Sequence, residues 1–153
     1  MISTDTMAAP APTTGLPLIG IAASFPIACF TCALATDIAY MQTAQMMWAD
    51  FSAWLLAVGL AGAVLTALIG AVLLLVNRRV RRPRPLWPVA LGSLAVLVVG
   101  FADNLVHSRD AWTSVVPLGL TLSAITVVLM LITAWLGFAR ISRPALAYSG
   151  VRA

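Results

Sequence analysis

The chain has 153 residues, 61% of them hydrophobic and only 9% charged, where an ordinary soluble domain carries about 25% charged residues. With a mean hydropathy of +1.00 it is too apolar for a disordered chain or an independent soluble globule, and lipid is its expected solvent. The net charge of +4 does not point to nucleic acid: all nine basic residues are Arg, and Arg78, Arg79, Arg81, Arg82 and Arg84 lie together between apolar runs. That is the pattern of a topology anchor that also meets anionic lipid.

Residues 1–17, rich in Ala, Pro and Thr, predict a disordered tail. The first apolar run, 18–41, contains Ala33-Leu34-Ala35, which looks like a cleavage site. The run is longer than a signal h-region and no basic residue precedes it, so a membrane span is expected instead. Pro26 should kink this helix and free the carbonyl of Ala22. The second span is predicted over 52–76, capped by Asp50 or Ser52. Along it Gly59, Ala63, Ala67 and Ala71 recur every four residues, with Gly62, Thr66 and Gly70 on the adjacent ridge. A small-residue stripe lets helices approach closely in lipid, so this span is the expected packing element.

Pro83, Pro85 and Pro88 keep the central loop from continuing as helix, and a third span is expected over 86–106. Gly92, Val96 and Gly100 give it a narrower small-residue face. The fourth span, 115–139, is expected to be capped by Ser114, with Pro117 in its first turn; Gly119 and Ser123 begin a further packing face. A tail follows over 140–153. Each run exceeds the roughly 18 residues that mark a spanning helix, and backbone groups in lipid must bond internally. The expected fold is an all-α four-helix integral membrane bundle in a single domain, 18–139.

Four spans put both tails and the central loop on one side. That side carries every Arg except Arg109, so both termini are expected in the cytoplasm. Asp37, Asp50, Asp103 and Asp110 then fall at the outer face. Trp48, Trp54 and Trp112 mark that boundary, and Trp87 and Trp135 the inner one.

The groups able to carry chemistry are few. Asp103, Asn104 and His107 lie on the third span, with Asp103 and His107 one turn apart on one face, and Arg109 and Asp110 follow. On the first span Cys29, Ala33 and Asp37 share a face, which turns Asp37 toward other helices. Together with Asp50 these residues form a candidate outer-face polar network, since ionisable groups near a span are functional candidates. Cys29 and Cys32 form a lone CxxC, read as small core residues because two thiols one turn apart do not complete a metal site. His107 is the only histidine, so bis-His haem ligation within one chain is impossible, and His/Met ligation would need Met41, Met46 or Met47. No catalytic motif, metal site or cofactor is expected.

Phe25-Pro26-Ile27-Ala28-Cys29-Phe30, Thr36-Asp37-Ile38-Ala39-Tyr40, Trp48 to Leu55, and Val106 to Leu120 followed by Leu122-Ser123 together resemble the bacterial membrane family known as domain of unknown function 2231. Trp135-Leu136-Gly137 closes the match. The resemblance implies a four-span, multi-pass protein of the bacterial inner membrane and brings no activity. Members often carry a His-Pro pair where this chain has Leu16-Pro17, an acidic residue where Ala71-Val72-Leu73 follows Gly70, and a basic, histidine-containing ending where Ile141-Ser142-Arg143-Pro144 stands. These departures count against metal, haem or proton chemistry. The expected role is a non-enzymatic structural or accessory subunit that packs against itself or a larger membrane complex through the stripe and outer loops. The alternative is a small redox or proton-handling module using His107 and Asp103.

Overall fold

The computed structural model describes residues 15–76, 86–109 and 115–149, with side chains over 18–76, 86–109 and 115–139. Four helices are long and apolar enough to cross a membrane, and among the described residues there is no strand. Helix α1 spans Gly15–Thr43, α2 Met46–Val76, α3 Trp87–His107 and α4 Leu120–Ser149, the last preceded by a kinked segment over Val115–Gly119. The first fourteen residues of the expected tail, the arginine cluster from Arg78 to Arg84, and Asp110, Trp112 and Ser114 lie outside the described residues.

Several boundaries differ from expectation. Helix α1 already includes Gly15, Leu16 and Pro17, since proline is tolerated in a first helical turn. Helix α2 begins at Met46, so neither Asp50 nor Ser52 is a cap. The link from α1 is only two residues: Ala44 takes a left-handed φ of 52°, its N–H donates to Tyr40 O at 2.8 Å, and the chain reverses at once. Regular helix in α4 starts at Leu120 because Val116, just before Pro117, is extended at φ −121°, ψ 128°; a residue before proline is driven out of the helical region. Helix α4 then continues beyond the expected span end to Ser149.

Helices α1 and α2 form the closest pair, and the stripe explains half of it. A Cβ on Gly59 would stand 2.9 Å from Cys29 Cβ, and one on Gly62 would meet Phe25 and Pro26. Ala63 packs against the central core. Thr66 Oγ1 donates to the Ala22 carbonyl at 3.0 Å, supplying a partner for the group that Pro26 cannot reach with an N–H. Ala67 is half-buried. The lower half of the stripe does not pack: Gly70 faces open space and Ala71 is exposed, because no described helix reaches that face. Cys32 also points outward while Cys29 is buried, since residues three apart need not share a helix's buried side.

Counted from the Ala44–Gln45 turn, the interior is layered. Tyr40, Ala49 and Val115, with Met46 and Trp48, form an upper apolar layer. Phe30, Ala33, Leu56, Val96, Val127 and Met130 form a thicker lower one. Gly100 admits the Phe30 ring there, since a Cβ at Gly100 would stand 3.3 Å from Phe30 Cζ. Between the two layers lie the buried polar residues.

Candidate functional site

One side chain or more from every helix enters this middle layer: Asp37 from α1, Ser52 from α2, Asp103 and His107 from α3, and Ser123 from α4. Both aspartates and Ser52 have no exposed surface, and Ser123 has 1%. Asp37 and Ser52 each lie six residues from the turn, about 9 Å along the helix axis. Helical periodicity explains the inward aim. Cys29, Ala33 and Asp37 are spaced by four and all buried; Gly100, Asp103 and His107, spaced by three and four, are all buried on α3.

Asp37 is the hub. Its Oδ1 faces His107 Nε2 at 3.0 Å and accepts from the Ser52 hydroxyl. Its Oδ2 accepts from Ser123 Oγ at 2.5 Å. The other three helices thus each supply one partner to a single carboxyl. Ser52 Oγ also lies 3.1 Å from the Ala33 carbonyl.

His107 joins the two acids. Its Nδ1 lies 3.0 Å from the Asp103 carbonyl oxygen, which can only accept, so Nδ1 carries a hydrogen. Asp103 Oδ1 lies 3.1 Å from the same nitrogen yet has no hydrogen-bond partner, because the N–H is directed to the carbonyl. That oxygen receives Coulombic attraction only. Asp103 Oδ2 meets Ser123 Oγ at 2.9 Å. Asp37, His107, Asp103 and Ser123 therefore close a ring in which the two carboxyl groups are bridged twice.

The structure brings together three of the seven residues named from sequence, Asp37, Asp103 and His107. Asp50 and Arg109 are exposed and Asn104 is half-buried; among the described residues the ion pairs of this region all involve His107. Asp50 points away because residues two apart on a helix lie about 200° around its axis, so with Ser52 inward Asp50 faces out. Asp110 lies outside the described residues. Two members stand outside that set: the sequence pattern marks Ser52 as a cap and Ser123 as a small packing residue. The signal was available in the buried small residues at i and i+4, Gly119 and Ser123, where the second carries a hydroxyl. Neither Cys29 nor Cys32 takes part.

The match to the family model covers residues 15–146, all four helices but for the last three residues of α4, and that model is described as a predicted membrane protein, DUF2231. The chain belongs to this family. DUF2231 membership agrees with four apolar helices and assigns no chemistry. Comparison with curated proteins and with solved structures found no match.

Proposed function

We propose that this DUF2231 protein is a non-enzymatic proton-handling module of the bacterial inner membrane, with both termini in the cytoplasm and a buried proton-binding site near the periplasmic face. The observation that carries the reading is the ring of Asp37, His107, Asp103 and Ser123 with no solvent-exposed carboxyl. Burying two acids and an imidazole in lipid is expensive, and apolar or small residues would join four helices without that penalty. Among described residues, Arg109, the one Arg near this end, is exposed and joins no ion pair, so a proton is the cation that neutralises the cluster. The lower apolar layer of Phe30, Leu56, Val96, Val127 and Met130 supports exchange with one side only. No cofactor is proposed: both ring nitrogens of His107 face the two aspartates, leaving none aimed at a haem iron.

The test is proton uptake by the full chain in proteoliposomes after a small acid jump on the periplasmic side. Wild type should take up protons that His107→Gln does not, with helical content unchanged in both. Equal uptake in the two would overturn the reading.

The orientation has its own check, resting on the Arg distribution. In a chain lacking Cys29 and Cys32, single cysteines at Gln45 and Ser108 should label from the periplasm, and those at Val80 and Ser149 from the cytoplasm. Periplasmic labelling at Val80 would reverse the topology.

A second reading, an accessory subunit packing against its own copy or another membrane chain, is favoured by a different observation. Gly20, Gly70 and Gly137, all at the end of the bundle opposite the ring, each have open space where a side chain would stand. Small residues facing lipid allow another helix to approach.

A further inference from the structure

Ser123 stands between two carboxyl groups and has one hydrogen to give. Its Oγ lies 2.5 Å from Asp37 Oδ2 and 2.9 Å from Asp103 Oδ2. An ionised carboxylate only accepts. Both contacts are hydrogen bonds only when one of the two carboxyls carries a hydrogen that points at Ser123 while the hydroxyl points at the other. His107 supplies one hydrogen toward Asp37 Oδ1, and its second goes to the Asp103 main chain, which leaves Asp103 Oδ1 without a directed donor. With His107 cationic and both acids ionised the ring carries one net negative charge; one further proton makes it neutral in its apolar surroundings.

We infer that Asp37 and Asp103 act as one proton-sharing carboxyl pair, with the Ser123 hydroxyl as the relay that passes the proton between them. This rests on the proton-handling reading and names the groups that perform it. In the transfer, the Asp37 Oδ2–H bond breaks as a new Ser123 O–H bond forms, and the original Ser123 O–H breaks as Asp103 Oδ2–H forms. One proton moves from α1 to α3, the serine is regenerated, and no electrons change hands. His107 holds the two acids at this separation throughout. The titratable or charged groups around the pair are His107 from α3 and, in the apolar layer above, Tyr40 from α1; α2 contributes Ser52, with Asp50 exposed, and α4 contributes Ser123 and Thr126.

Infrared difference spectroscopy of the full chain in lipid, acid minus neutral, in H2O and D2O, tests the pair directly. Wild type should show a deuterium-sensitive C=O stretch of a buried protonated carboxyl, lost or shifted in Asp103→Asn. Ser123→Ala should shift that band and split its titration into two independent steps, and Ser123→Thr should restore the wild-type band. A wild-type spectrum with no protonated-carboxyl band across the titration overturns the inference, whether or not Ser123→Ala folds. An unshifted band in folded Ser123→Ala overturns the relay. The two ideas fail separately: proton uptake without a carboxyl band sinks the pair, while a carboxyl band without His107-dependent uptake sinks the proton-handling reading.

Discussion

Replacing Asp37 by Ala should destabilise the bundle by about 3–5 kcal/mol, the range expected when one partner of a buried ionic group is removed. Asp37 is the single acceptor shared by α2, α3 and α4, through Ser52, His107 and Ser123. Its loss leaves His107 Nε2 facing an empty space and leaves Ser52 and Ser123 only their second acceptors, the Ala33 carbonyl and Asp103 Oδ2. Ser52→Ala should be far milder, about 1 kcal/mol, because it removes one neutral donor from a carboxyl that keeps two others. The measurement is reversible unfolding in mixed detergent micelles, followed by helical content. Losses of equal size in the two variants would mean that Asp37 does not tie the helices together.

Gly59→Ala should lower stability by about 1–3 kcal/mol, whereas Gly70→Ala should raise it by roughly 0.5–1 kcal/mol. Both positions lie on one stripe, and sequence periodicity treats them alike. At Gly59 the added methyl meets Cys29 Cβ at 2.9 Å, an atom fixed to the α1 backbone, so the two helices must move apart. At Gly70 nothing stands within 4 Å, and alanine brings only its better helix propensity. Gly62 is an intermediate case, since its new methyl meets the far edge of the half-exposed Phe25 ring, which can swing away. The same unfolding assay checks the order. A destabilising Gly70→Ala would indicate that another membrane chain occupies that face, the outcome the accessory reading requires.

The candidate site was only half legible before the fold. Spacing of four residues placed Asp103 beside His107 and turned Asp37 inward, because a helix repeats every 3.6 residues whatever surrounds it. No spacing within α3 could reveal that the second nitrogen of His107 meets Asp37, which lies 70 positions earlier. Ser123 looked like a small packing residue until α4 laid it against both acids. Asp50 and Arg109 entered the candidate set by proximity along the chain, and local register turned them away. The stripe is divided for the same reason: periodicity marks all of it alike, and the assembled bundle sets Gly59, Gly62, Ala63 and Thr66 against other helices while Gly70 faces open space.

The amino-acid sequence by itself determined that this protein spans a membrane four times as helices. Four apolar runs have a single way to satisfy their backbone in lipid, and that requirement is local to each segment. Tertiary structure alone decided which polar groups meet, where the stripe packs and where it lies open, and how the ends of α2 and α4 are set. Those outcomes depend on the rotation and crossing of four helices at once, settled by Gly59, Gly62, Gly92 and Gly100 where neighbouring helices come closest, and no one-dimensional pattern records it.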